Sequence, residues 1–238
     1  YKSGGVKGGL EDDKIDTHRH EYLRKCDELL ILPRPLAYGR PDPTTLNLDG
    51  FGCTGSVTQA LAIALKGNTT CAILSLCENR LGGEGLKTIC GSLEGLESLC
   101  ELRLAGCGIG NQTDELGRLI TVNKNITTLD VSNNGMSDPG MLQVLRAVYE
   151  GNVMSVLSLA RNPGGAESCE LLGQILRYGS SLREMDLSWM SLRSDAGLSI
   201  VTELAHNRSL RSINLSWNGL DDQCAEAVAE AIYESAVD

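Results

Sequence analysis

Three histidines and nine cysteines carry most of the latent chemistry of this 238-residue chain. His18, His20 and Cys26 are close enough in sequence to be considered as metal ligands. On a helix, residues two apart point to different sides, and a zinc site needs about four convergent donors. The two histidines therefore read as part of a solvated cap surface. The cysteines are odd in number and form no C-x-x-C pair. They read as reduced, buried thiols of a cytosolic protein rather than as a disulfide framework. Gly-Cys-Gly-Ile-Gly at 106–110 has the glycines of a dinucleotide loop but not the G-x-G-x-x-G spacing. G-x-S-x-G, H-E-x-x-H and Walker sequences are absent. His206, beside Asn207, reads as a turn residue. The expectation is a chain with no catalytic residues, no cofactor, no metal and no small-molecule substrate.

Composition narrows the partners. The net charge of -10 argues against nucleic acid, whose phosphates require a Lys/Arg surplus. It suits a basic protein partner, or serves solubility alone. No run of roughly 18 apolar residues is present, so no membrane span is expected. The chain begins at Tyr1 rather than Met and shows no signal peptide, as a trimmed piece of a longer protein would. Five N-x-S/T sequons, at Asn68, Asn111, Asn125, Asn207 and Asn214, fall at recurring positions and read as turn residues rather than glycosylation sites. Aromatics make up only 4% of the residues, with one Phe, at position 51. Such a chain builds its core from short aliphatic side chains, as stacked identical layers do.

Those layers are visible as a repeat. Apolar pairs recur at Leu46/Leu48, Leu74/Leu76, Leu102/Leu104, Leu129/Val131, Leu157/Leu159, Met185/Leu187 and Ile213/Leu215. The spacing is 28 residues, except for one step of 27 between the third and fourth. A second set of pairs with helical spacing follows each: Leu61/Leu65, Ile89/Leu93, Val144/Val148, Leu172/Leu176, Ile200/Leu204 and Val228/Ile232. In the short third repeat the pair is Leu116/Ile120, one place early. Each unit is thus a strand, a turn, a helix and a return loop. Right-handed crossovers place the strands in one parallel sheet with the helices on its other side. Helices are wider than the strand spacing of roughly 4.8 Å, so the array curves with its strands concave.

Leu-Ser-Leu-Cys-Glu-Asn-Arg-Leu-Gly-Gly-Glu-Gly at 74–85 and Ile-Asn-Leu-Ser-Trp-Asn-Gly-Leu at 213–220 resemble the consensus of the ribonuclease-inhibitor-like leucine-rich-repeat family. The resemblance covers residues 44–238 and implies an α/β right-handed solenoid of seven repeats. Its consensus asparagine, which bonds backbone at the strand-to-loop turn, is present as Asn79, Asn134, Asn162 and Asn218. Cys107 is a substitute the family uses, Phe51 lies in an atypical first repeat, and Met190 is a departure expected to alter the sixth turn. The family includes nuclease inhibitors, GTPase-activating proteins, innate immune receptors, actin regulators and ciliary components. It therefore implies protein binding without naming a partner.

Residues 1–43 read as a Gly-rich flexible tail (1–10) followed by a helical cap. The cap helix runs from about Asp16 to Leu30, with Tyr22, Leu23, Cys26, Leu29 and Leu30 as its apolar stripe and Pro33 and Pro35 as its stop. A Tyr-x3-Cys helix before a Pro segment resembles eukaryotic proteins of this class, some of them ciliary. That implies a cytoplasmic scaffold, with a cytoskeletal or axonemal assembly as the finer expectation. The alternatives are a regulator of an enzyme and the sensor region of an immune receptor. At the other end, no separate cap follows the seventh helix, so the last layer is expected to expose apolar surface.

The partner surface is read from columns of equivalent residues. The strand positions beside the buried pairs are mostly small and polar, with Glu101, Arg103, Asp130, Glu184 and Asp186 among them. Two residues after each strand pair, a further column runs Gly50, Glu78, Gly106, Asn133, Arg161, Trp189, Trp217. Both tryptophans of the chain occupy it, in adjacent layers. Trp and Arg are the residues most enriched at interface hot spots. The expected contact patch is Arg161, Trp189 and Trp217, flanked by Glu184 and Asp186, with Asp130 and Arg103 further along. The competing reading makes Trp in Leu-Ser-Trp-Asn a repeat variant that shields the turn.

Overall fold

A computed structural model describes residues 11–33, 44–66, 68–151 and 153–235. The N-terminal helix α1 spans Glu11–Glu28, and seven strand–helix units follow. Their strands are three residues each: β1 Thr45–Asn47, β2 Ile73–Ser75, β3 Glu101–Arg103, β4 Thr128–Asp130, β5 Val156–Ser158, β6 Glu184–Asp186 and β7 Ser212–Asn214. They form one parallel sheet in sequential order, with Leu46, Leu74, Leu102, Leu129, Leu157, Met185 and Ile213 in register across it. The helices are α2 Gly55–Leu65, α3 Gly82–Leu93, α4 Asp114–Val122, α5 Asp138–Gly151, α6 Ala166–Tyr178, α7 Ser194–Leu204 and α8 Asp222–Ser235. Each packs on the next along the array.

One continuous apolar core runs between sheet and helices. Leu48, Leu76, Leu104, Val131, Leu159 and Leu187 are fully buried there, as are the helix pairs from Ile89/Leu93 to Leu172/Leu176. The short third repeat keeps Leu116 and Ile120 in this core by starting α4 late and limiting it to nine residues. In the seventh repeat Ile232 and Tyr233 are exposed.

Buried asparagines join the layers. Asn162 Nδ2 donates to Leu159 O in its own repeat (2.9 Å) and to Val131 O in the preceding one (3.0 Å). Its Oδ1 accepts from Asn134 N (3.0 Å) and Met136 N (3.1 Å). Asn134 and Asn218 make the same bonds, and Asn79 all but one, its Oδ1 accepting from Cys53 N alone while Phe51 N donates to Leu48 O. One amide side chain thereby satisfies backbone groups that would otherwise be orphaned inside the core. Cys107 fills the role in part, its thiol donating to Leu76 O (3.1 Å). The expectation that Met190 would alter the sixth turn is corrected. Met190 is fully buried, its N–H donates to Asn218 Oδ1 (2.8 Å), and the preceding residue keeps the same backbone angle as in the other repeats. The next layer's asparagine holds that turn from outside.

Helix α1 packs on α2, with Tyr22 and Cys26 buried against Ala60. Cys26 is fully enclosed while His20 is exposed, so the two do not share a site. Leu30 departs from the expected stripe: the helix ends at Glu28, and Leu30 sits at φ +54° and is 94% exposed. The tail at 1–10 and Pro35 lie outside the described residues. The glycines of 106–110 are turn residues. Gly106, Gly108 and Gly110 have φ of +66°, +65° and +62°, and no helix starts until Asp114. The sequon asparagines are likewise occupied with backbone: Asn68 Oδ1 accepts from Cys71 N, Asn125 Nδ2 donates to Glu97 O, and Asn207 Oδ1 accepts from Ser209 N. Among the described residues, no helix is long and apolar enough to cross a membrane.

Candidate partner-binding surface

The column that carries both tryptophans is set by an unusual backbone. Gly50, Glu78, Gly106, Asn133, Arg161, Trp189 and Trp217 all have positive φ, between +54° and +66°. For an L-residue this conformation costs roughly 1–2 kcal/mol. It persists because the surroundings over-determine it. The N–H of each column residue from Gly50 to Trp189 donates to a carbonyl of the following repeat at 2.7–3.1 Å, extending the sheet's ladder past the strands: Gly50 to Cys77, Glu78 to Ala105, Gly106 to Ser132, Asn133 to Ala160, Arg161 to Ser188, Trp189 to Ser216.

The left-handed conformation turns these side chains out of the core and stacks them layer upon layer. Trp189 and Trp217 lie face to face, with centroids 4.8 Å apart and planes 16° from parallel. The Arg161 guanidinium covers the other side of Trp189, 4.7 Å from its ring centroid. Arg161, Trp189 and Trp217 therefore form one three-membered ladder along the rim where the strands end. Trp189 is 43% exposed and Trp217 is 72% exposed. Stacking within the ladder is worth about 0.5–1.5 kcal/mol per contact, and it presents a rigid, flat surface at low entropic cost.

The flanking residues behave differently. Asp130 and Asp186 each use Oδ1 to accept the N–H two residues on, from Ser132 and Ser188, both at 2.9 Å. Asn47 and Asn214 make the same bond. These acids thus hold the strand-end turn with one oxygen. Glu184, on the same face of β6 as Asp186, is exposed. Arg103 is paired with Glu101 on its own strand. Ser75 is the exception to the open concave column: it is buried, and its hydroxyl donates to Asp49 Oδ1 at 2.6 Å.

Sequence reasoning missed the caps that pass between layers. Asp138, at the start of α5, accepts from Gly165 N (2.7 Å), Ser168 N (3.2 Å) and the Ser168 hydroxyl, closing the N-terminus of α6. Burial works against its charge, but these hydrogen bonds outweigh that and hold the carboxyl below the ordinary carboxylate range. Asn111 does the same one layer earlier, accepting from Ser137 N at 2.9 Å. The signal available was Asn111 and Asp138, each about one repeat upstream of the helix start it caps.

A family model described as "Leucine Rich repeat" matches residues 122–143 and 206–229. Similar proteins include the ribonuclease inhibitor of Sus scrofa, 33% identical over 144 residues, covering 57% of this chain and 30% of that protein. Another is NACHT, LRR and PYD domains-containing protein 5 of Bos taurus, 29% identical over 211 residues, covering 84% of this chain and 18% of that protein. The chain carries leucine-rich repeats and is similar to ribonuclease-inhibitor-like leucine-rich-repeat proteins. It spans less than a third of the length of either relative, so the likeness describes the repeat region. Among solved structures, the tropomodulin C-terminal domain of Caenorhabditis elegans is 13% identical, with a TM-score of 0.47, covering 76% of this chain and 93% of that one.

Proposed function

We propose that this repeat region is a non-catalytic protein–protein interaction scaffold whose partner seats on the Arg161–Trp189–Trp217 ladder and the adjoining concave strands. The observation that carries the reading is the ladder itself: two stacked tryptophans, Trp217 largely and Trp189 partly exposed, at a backbone position where glycine costs less. Exposed rings held flat are characteristic of contact hot spots. Glu184, Asp186 and Asp130 give the face a negative balance that suits a basic partner, with Arg103 committed to Glu101. The scaffold belongs to a cytoplasmic assembly, and a cytoskeletal or ciliary one is the finer form of the proposal, resting on the Tyr22/Cys26 cap helix. A second reading, regulation of an enzyme, is favoured by the name of one relative, a ribonuclease inhibitor; the sensor region of a larger receptor is the remaining alternative.

The test is parallel affinity capture from native cells with the wild-type chain and the Trp217→Gly variant, quantified by mass spectrometry. A basic protein retained by wild type and lost with the variant supports the ladder as the seat. Cytoskeletal or axonemal proteins among those lost favour the scaffold; a single stoichiometric nuclease or GTPase favours the regulator. Equal capture by both chains refutes the ladder.

A further inference from the structure

Among the described residues, arginines gather at the opposite ends of the strands from the tryptophan ladder. The return loops before β6 and β7 place Arg183 and Arg211 at equivalent positions, 28 residues apart, and Arg211 N donates to Arg183 O at 2.8 Å. The two stems thus leave directly hydrogen-bonded strands, where like charges repel. The same position in earlier repeats holds Thr44, Ala72, Cys100, Thr127 and Ser155. Paired arginines are therefore a feature of these two layers and not of the repeat.

Arg183 and Arg211 line a cleft of about 560 Å³ with Arg177, His206 and Arg208, and none of its lining residues is acidic. The Arg183 guanidinium is fixed by donation to the carbonyls of Ser180 (2.8 Å), Leu182 (3.1 Å) and Ser209 (3.3 Å). Arg177 is braced by Glu203 at 3.0 and 3.1 Å. Arg208 and Arg211 are exposed. Sharing Tyr178 and Gly179 with this cleft is a second cavity, of about 310 Å³, lined by Val148, Met154, Ile175 and Leu182 with Tyr149 as a rim. Tyr178 stands between them, two-thirds exposed, with the Arg177 guanidinium 5.8 Å from its ring centroid.

We infer that this edge is a second docking surface, taking an acidic peptide segment of a protein partner with an apolar side chain seated beside Tyr178. The basic cleft supplies charge complementarity for carboxylates, which arginine pairs in bidentate geometry. The apolar cavity supplies an anchor that a phosphate polymer cannot use. A nucleic acid would need a longer basic track, and the net charge of -10 repels one. The surface is independent of the tryptophan ladder, so one chain can hold two partners, a basic one at the strand ends and an acidic one at the return loops.

The test is fluorescence anisotropy at low salt with a labelled short peptide of Asp and Glu around a Leu pair. The controls are the same peptide with Ser for Leu, poly-uridine RNA, and phosphatidylserine vesicles. The acidic peptide is expected to bind. Arg208→Glu with Arg211→Glu is expected to weaken it by about tenfold or more, the Ser-for-Leu peptide and Tyr178→Ala to weaken it less, and Trp217→Gly to leave it unchanged. Arg211→Gln, which only removes charge, gives an intermediate loss with an unchanged melting curve. Failure of the peptide to bind, indifference to the arginine changes, or tighter binding of the RNA or vesicles through Arg208 and Arg211 overturns the inference.

Discussion

Replacing Trp217 by glycine separates folding from binding, and the structure provides the magnitudes. The ring is 72% exposed, so its removal uncovers little apolar area; the main loss is one stacked contact with Trp189. That contact is worth about 0.5–1.5 kcal/mol. Trp217→Ala keeps a Cβ at φ +60°, so the backbone penalty stays and the variant loses about 1 kcal/mol. Trp217→Gly also removes that penalty of about 1–2 kcal/mol, against a glycine entropy cost of about 0.5–1 kcal/mol. The gain roughly cancels the lost stack, which is consistent with Gly50 and Gly106 filling this column in other repeats. For a chain of this size about 1 kcal/mol moves the melting temperature by about 2–4 °C. Thermal unfolding followed by circular dichroism is therefore expected to place Trp217→Ala about 2–4 °C below wild type and Trp217→Gly within about 2 °C of it. Partner binding should fall by roughly 30-fold or more in both, as for a hot spot worth about 2 kcal/mol. A glycine variant that melts about 10 °C lower makes the ring a packing element and refutes the reasoning.

Further outcomes follow from the interior. Asn162→Ala leaves the N–H groups of Asn134 and Met136 buried without their acceptor, at about 1–3 kcal/mol each. It should lower urea-unfolding stability by about 3–4 kcal/mol, and Asn162→Cys should lose less, because Cys107 shows a thiol keeping one of the donated bonds. Asp138→Asn should cost about 0.5–2 kcal/mol at neutral pH through the weakened α6 cap. Because the folded carboxyl is held below its ordinary value, its contribution is present above about pH 4 and is lost as pH falls through the folded value. The acid side of the stability profile should therefore be shallower in the variant than in wild type. In thiol titration under native conditions Cys100, which is exposed, should react first. Burial pushes Cys90 and Cys107 up to about 12 and Cys169 to about 11, so these three should react only after denaturant is added.

What was legible in the sequence was whatever repeats. Leu74, Leu102 and Leu129 announce the sheet because every layer must bury the same face, and a period of 28 residues places equivalent positions side by side. The same logic brings Arg161, Trp189 and Trp217 together from their spacing alone. Their left-handed backbone was not legible, because Glu78, Asn133 and two tryptophans are not residues that declare a positive φ. Leu30 was misplaced because a helix end depends on where the chain turns and not on the stripe. Bonds between layers, such as Asp138 to the start of α6, were missed because they join residues about one repeat apart that are not equivalent. The arginine edge was missed for a different reason. Arg183 and Arg211 share a column as plainly as the tryptophans do, but that column lies in a return loop, which looked like a connector rather than a surface. In a solenoid that distinction fails: every non-core column is a line of neighbours about 5 Å apart, whichever end of the strand it occupies. A change of residue type confined to adjacent layers marks a surface at either end.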